Sequence, residues 1–442
     1  MRNLFKPWFL LVALLALALT AGIACGDDDD DDDATDAPTA SGTGAATETE
    51  DTSGEVLTDF GVSDTEIKLG QHIVQSGNLA SVYQPVVPTL QAYFAYINAE
   101  EGGVCGRDLT LTSEDDTYAP AVAREKAQKL IDQDQIAAFI GNLGTPPNTG
   151  SAGYINEQEV PDLFIATGVN AFADASTLPW TVLFNPDYTS EGTILGNYVN
   201  DNLAGQTIAT LYQNDDFGKS GRDAFVATVE GDVVAEETYE STATDINSQL
   251  ANLRNADPDI LYLYSTPAFT ARAYAYMAQN SWQPQVVMSY VNSATTLASL
   301  VGGGTEAAQI TAGFAAIAGA ISNNYILDPV ANVDDPAIVE HTRIMETYGG
   351  PPVGTLSVYA QSIGETTVET LNIACENGDM TRAGIMAAAE SITGFHPTVL
   401  LEGIDLTVSD TDHAAIQSLV PVEIQANGTL LALVTAPIEA GD

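Results

Sequence analysis

The sequence predicts an α/β protein made of two Rossmann-like lobes with parallel central sheets. Two observations lead there. Strand and helix patterns alternate through residues 66–167, and a second alternating series begins after residue 190. Beyond an acidic N-terminal stretch the chain runs for about 380 residues, too many for one comfortable core and suited to two.

In the first series, "EIKLGQHIV" (66–74) reads as a strand entering a core. "PTLQAYFAYINAE" (88–100) reads as a helix with Pro88 near its start and Leu90, Phe94 and Ile97 on one stripe. A turn and a strand through Leu109 and Leu111 follow. "PAVAREKAQKLIDQD" (120–134) then predicts a helix with Ala123, Ala127, Leu130 and Ile131 inward. "IAAFIGN" is a short apolar strand, "GYINEQEV" a helix and "PDLFIAT" another strand. The second series offers helices over 192–203, from 216, over 243–255 and 268–280, with strands over 207–214, 260–265 and 285–290. Beyond it lie a long helical stretch from 353, a helix near 381–392 and a β-like ending (420–434) with Asn427-Gly428 as its hairpin turn.

The N-terminus places the chain outside the cytoplasm. Arg2 and Lys6 precede an apolar run from Trp8 to about Leu19, followed by Ala21, Gly22 and Ala24, the pattern of a secretory signal. The run is shorter than the roughly 20 residues that span a bilayer. "GIAC", ending at Cys25, resembles the bacterial lipobox and implies a lipidated cysteine. Gly22 departs from the large apolar residue usual there, and ordinary secretion with Cys25 removed is the alternative. Residues 26–61, with seven aspartates at 27–33 and no aromatic before Phe60, read as a solvated acidic tether. A calcium site would need oxygens held at set angles, which a plain aspartate run does not offer.

With 13 Lys and Arg against 60 Asp and Glu, the net charge is −47, which disfavours a nucleic-acid partner. Catalytic vocabulary is thin. The four histidines, His72, His341, His396 and His413, include no helical i, i+3 or i, i+4 pair, so no metal centre is expected. His72 and Ser76 invite a hydrolase reading, but no Gly-x-Ser-x-Gly elbow is present. No P-loop or dinucleotide glycine pattern occurs, and no cofactor is expected. The positive signal is a set of loops directly after strands: 72–83, 141–148, 166–172, 213–221 and 264–269. They are rich in glycine, small hydroxyls and aromatics, and in such sheets ligands bind at the carboxyl ends of strands. Cys105 and Cys375 are compatible with one disulfide or with two separate buried thiols.

"GVSDTEIKLGQHIVQSGNLASVY", "GGVCGRDLTLTSEDDTYAPAVAREKAQKLI", "FIGNLGTPPN" and "VPDLFIATGVNAFAD" resemble the extracytoplasmic substrate-binding proteins of ABC importers, in the leucine/isoleucine/valine-binding, or type I periplasmic-binding-protein, group. The resemblance covers about 62–424 and is strongest over 62–220. It implies two lobes joined by three crossings: lobe I over 62–186 and 312–405, lobe II over 187–311 and from 406 onward. Cys105 and Cys375 would share lobe I, which supports their pairing. It implies a small-molecule ligand, ABC permease subunits as partners, a membrane attachment through Cys25 and a monomer. Thr145 matches the hydroxyl residue that bonds the ligand carboxylate in amino-acid binders. Gly168 matches a position lending backbone groups, Asn170 replaces a neighbouring threonine, Tyr83 matches a flanking aromatic, and Phe217 replaces a tyrosine of the closing lobe. Asn142 and Thr266, in the loops after their strands, complete the expected ligand-binding set. One departure stands out. Amino-acid binders place an ammonium-pairing glutamate where this chain has Thr242 or Ala243; unless Glu240 or Asp245 substitutes, the ligand need not be an amino acid. A sensor feeding a signalling partner is the rival reading, with a secreted hydrolase behind it.

Overall fold

The computed structural model describes residues 56–439. The signal segment, Cys25 and the tether through residue 55 lie outside the described residues. The last part of the expected tether is docked rather than free: Leu57–Thr58 pairs in parallel with Asp379–Met380, and Leu57 N–H donates to the Gly378 carbonyl. A backbone that gains ladder partners does not remain in solvent, so the folded body starts before residue 62.

The first sheet has five parallel strands in the order Asp108–Asp115, Glu66–Ile73, Ala138–Ile140, Asp162–Ile165, Thr181–Leu183. The last three and most of Glu66–Ile73 are buried, as covering helices on both faces require. In the second sheet Val233–Tyr239, Ile208–Gln213, Ile260–Tyr264, Gln285–Met288 and Ile321–Asn324 run parallel in that order. Ser418–Ile424 then adds antiparallel, and Leu430–Ala432 folds back on it through the Asn427-Gly428 turn, where Gly428 has φ +88°. Both parallel sets share one winding, second strand outside the first and third strand on its other side. A ligand crevice is expected at the carboxyl ends where that order reverses.

Three connections join the sheets: from Thr181–Leu183 into the helix Tyr188–Asn202, from Ile321–Asn324 toward the helices Pro336–Tyr348 and Thr355–Glu376, and from the helix Arg382–Ala389 to Ser418–Ile424. Short bridges tie these segments together, Leu183 with Ala414 and Ile326 with Leu400. Ile321–Asn324 hydrogen-bonds within the second sheet, so the chain stays there past residue 311, where a return to the first lobe was expected. Residues 406–417 sit at the bridges, and the closing strand begins only at Ser418.

Helix starts and stops follow local chemistry. Asp187 accepts from Thr189 and Ser190 N–H at the head of Tyr188–Asn202. Asp335 caps Pro336–Tyr348, which has proline at its first position and stops at Gly349, φ +76°. Several elements depart from the sequence reading, which placed no helix at Ala294–Gly302, Ala307–Ile317 or Pro336–Tyr348 and no strand at Thr181–Leu183 or Ile321–Asn324. Val233–Tyr239 is an edge strand whose burial alternates, and its charged "VVAEETY" conceals it. The helix expected near 153–160 begins at Thr145, because Pro146 and Pro147 are tolerated in a first turn that needs no N–H from them. Cys105 and Cys375 are joined as a disulfide, with Cα atoms 6.1 Å apart, fastening the turn at Val104–Arg107 to the end of the helix Thr355–Glu376. Among the described residues no helix is long and apolar enough to cross a membrane.

Candidate functional site

A cavity opens between the two sheets, with about 700 Å³ of atom-free space counting its solvent-open mouth. Every strand of the first sheet ends at it: Tyr83 follows Glu66–Ile73, Tyr118 follows Asp108–Asp115, Thr145 follows Ala138–Ile140, Ala166 follows Asp162–Ile165 and Asn185 follows Thr181–Leu183. The second sheet supplies Phe217 after Ile208–Gln213, Thr266 after Ile260–Tyr264, Tyr290 and Ser293 after Gln285–Met288, and Tyr325 after Ile321–Asn324. Thr355 and Tyr359 reach in from the head of the long helix. The cavity therefore occupies the place that the strand order of both sheets dictates.

Aromatic rings make much of its wall. Tyr188 lies edge-on to Phe217 at 5.2 Å between centroids and tilted to Tyr290 at 6.0 Å, and Tyr290 meets Tyr325 at 5.3 Å. Two glycines make room for these rings. A Cβ on Gly144, which has φ +103°, would lie 2.5 Å from the Tyr118 ring; one on Gly168 would lie 2.7 Å from Tyr188. Tyr118 and Thr117 themselves hold positive φ, +60° and +52°, with their N–H groups tied to the carboxylates of Asp116 and Asp115. Hydroxyl partners fix the remainder: Tyr290 donates to the Pro186 carbonyl at 2.7 Å, Tyr359 to Asn185 at 2.7 Å, and Thr145 shares a 2.7 Å bond with Thr167.

Of the expected ligand-binding residues, Tyr83, Thr145, Phe217 and Thr266 meet at this cavity. Asn142, Gly168 and Asn170 do not line it. Asn142 is fully buried with its amide spent inside the sheet, accepting from His72 N–H at 2.8 Å and donating to Asp162 at 2.7 Å. Gly168 supports the wall from behind, its carbonyl accepting Tyr188 N–H at 2.8 Å. Asn170 is exposed at the start of a 3₁₀ turn. Sequence reasoning missed Tyr118, Tyr188, Tyr290, Tyr325, Tyr359 and Ser293. Position just past a strand end was the available signal for Tyr118, Tyr290 and Tyr325; Tyr359, inside a helix, carried none.

Among the described residues no Asp, Glu, Lys, Arg or His lines the cavity. Burial raises the phenols of Tyr83, Tyr118, Tyr188, Tyr290, Tyr325 and Tyr359, so they stay neutral. Glu191, fully buried behind Tyr290, accepts from Tyr264 at 2.6 Å, from Ser289 at 2.9 Å and from Tyr290 N–H; burial raises its carboxyl to about 7 against those bonds. The loop with Thr242 and Ala243 contributes no lining side chain. Glu240, which accepts from Asn214, and Asp245, which accepts from Asn247 N–H, do not line the cavity. His72 pairs with Asp116 at 2.9 Å and with Ser151, not Ser76, at 2.9 Å. All three are fully buried, and none of them lines the cavity, so the array links the Tyr118 loop to the Thr145 helix.

The family model described as periplasmic binding protein matches residues 66–429. The chain belongs to the periplasmic binding protein family. It is 26% identical over 184 residues to an amino acid binding protein of Pseudomonas aeruginosa, an alignment spanning 38% of this chain and 45%, less than half, of that relative. A branched-chain amino acid ABC transporter structure from Thermus thermophilus with bound valine superposes with TM-score 0.75 at 16% identity, over 86% of this chain and 98% of that one. A fatty acid ABC transporter substrate-binding protein from Thermomonospora curvata superposes with TM-score 0.72 at 20% identity, over 87% and 95%. At these identities the likeness establishes the fold: paired α/β lobes with parallel central sheets of the type I periplasmic binding protein kind.

Proposed function

We propose that this protein is an extracytoplasmic solute receptor, lipid-anchored at Cys25, that captures a small polar molecule between its lobes and presents it to an ABC importer of the branched-chain amino acid type. The observation that carries the reading is the cavity, lined from both sheets at their carboxyl ends by rings and hydroxyls. Family membership and the importer descriptions of its relatives support it. A ligand that touches Thr145 on one side and Phe217 and Thr266 on the other gains all its contacts only when the lobes are closed. Binding then shifts the population toward closure, with no covalent step. The permease reads the closed, monomeric form.

The test is uptake. Cells lacking the protein lose import of the captured solute, and Cys25→Ser moves the protein from membrane to medium. Undiminished uptake in the deletion strain refutes delivery; membrane retention of Cys25→Ser refutes the anchor.

A further inference from the structure

We infer that the solute is uncharged: a molecule with an apolar or aromatic body and neutral hydrogen-bonding groups such as hydroxyl, carbonyl or amide, and neither an ammonium nor a carboxylate. This rests on the solute-receptor reading and names the ligand class of that same cavity.

The lining holds no charged side chain among the described residues, so a buried ammonium would find no counter-ion. Several helix starts stand near the cavity, that of Tyr188–Asn202 with its Asp187 cap among them, and such starts ordinarily attract anions. Each has some of its first-turn donors already occupied or missing. Asp215 accepts Gly218 N–H at the head of Asp216–Thr228. Asp328, 1% exposed, accepts Thr295 N–H at the head of Ala294–Gly302 and the Thr355 hydroxyl beside the next start. Gly354 N–H donates to Ser357 Oγ at the head of Thr355–Glu376. Thr145–Glu157 carries Pro146 and Pro147 in its first turn, and Pro267–Gln279 begins with a proline, while Thr266 N–H donates to Tyr239. A carboxylate would therefore meet prolines and resident carboxylates at most of these starts, with only scattered N–H groups such as those of Thr145, Thr355 and Leu356 left to it.

What remains unpaired is neutral. Thr266 Oγ1 is buried with no well-aligned hydrogen-bond partner, the Tyr239 hydroxyl lying beside it, and its residue, 2% exposed, lines the cavity. Ser293 Oγ, at another edge of the same space, is also buried and unpaired. Buried hydroxyls without partners are costly, and a ligand hydroxyl, carbonyl or amide completes them at no charge penalty.

Charge-matched probes on two skeletons test this by calorimetry and melting with the full protein: phenylacetamide, phenylacetate, phenethylamine and L-phenylalanine; isovaleramide, isovalerate, isopentylamine and L-leucine. Small molecules released on denaturing the freshly purified protein are identified by accurate mass. The expected result is binding by an amide, with its charged counterparts weaker by on the order of 100-fold or more. Thr266→Val, isosteric and lacking the unpaired hydroxyl, keeps the melting temperature and weakens the amide about tenfold. An amine, acid or amino acid that binds as well as the amide, or is itself the released molecule, overturns the inference and leaves the receptor reading standing. A silent panel with nothing released overturns the receptor reading itself.

Discussion

Gly168 supports the cavity without lining it, and Gly168→Ala tests that arrangement. The added Cβ would lie 2.4 Å from the Pro186 carbonyl oxygen and 2.7 and 2.8 Å from Tyr188 ring carbons, where ordinary contact starts at 3.4 Å. The ring must therefore retreat by roughly 0.7 Å and the carbonyl by roughly 1 Å, the differences between those distances and ordinary contact. Neither is free to do so. Tyr188 is 3% exposed and packs on Phe217, Tyr264 and Tyr290, while the Pro186 carbonyl accepts the Tyr290 hydroxyl. Overpacking of this kind costs about 1–3 kcal/mol. Because the displaced groups belong to the cavity wall, affinity for the compound that binds wild type falls about tenfold as well. Gly153→Ala is the control: it lies in the helix Thr145–Glu157 with nothing within 4 Å of the added Cβ, and gains about 0.5–1 kcal/mol. Urea unfolding gives the stabilities and calorimetry the affinities. If Gly168→Ala matches Gly153→Ala in both, the supporting role assigned to Gly168 is refuted.

Replacing Cys105 and Cys375 together by serine opens a link of sequence separation 270, which the chain-entropy model values at on the order of 5 kcal/mol. For a body this size the melting temperature drops by roughly 6 °C, with affinity unchanged; a melt insensitive to both replacements refutes it. Glu191→Gln removes a carboxyl whose folded pKa is raised from 4.5 to about 7, so its contribution to stability is full below about 4.5 and is lost as pH rises through about 7. The difference in unfolding free energy, wild type minus variant, falls across that window, and a flat difference from pH 4 to 8 rejects the assignment. His72→Phe leaves Asp116 and Ser151 buried without their imidazole and costs on the order of 3 kcal/mol in urea unfolding; wild-type stability would show that the buried array holds nothing together.

Apolar runs such as "IAAFI" and "ILYLY" announced buried parallel strands, because a strand covered on both faces has no polar face to disguise it. Val233–Tyr239 escaped because an edge strand half open to solvent carries Glu236 and Glu237, which read as loop. Thr145–Glu157 was half legible: its glycines and prolines look like a turn, although prolines fit a helix's first turn. At the site, residue type alone could not separate roles. Asn142 and Thr145 both follow one strand, yet Asn142 stitches the sheet and Thr145 meets the cavity. A tyrosine just past a strand could equally be core or wall, and only packing against the other sheet made Tyr188, Tyr290 and Tyr325 a wall.

Charge shows most clearly how far the sequence reaches. A position without its glutamate is visible at Thr242 and Ala243, but its meaning depends on whether a nearby acid takes over. Glu240 and Asp245 lie within a few residues, and no pattern in the chain rules them out. The structure keeps both off the cavity lining, Glu240 bonding Asn214 and Asp245 accepting from Asn247 N–H. Asp215, Asp328 and Glu191 approach the cavity more closely through their partners, yet each turns its oxygens to backbone N–H, amide and hydroxyl groups behind the wall or, at Tyr290 N–H and the Thr355 hydroxyl, in it. The same carboxylates that would serve a cation instead occupy the donors that would serve an anion. A neutral interior in a chain of net charge −47 is thus produced by where the acids spend their hydrogen bonds, which composition cannot reveal.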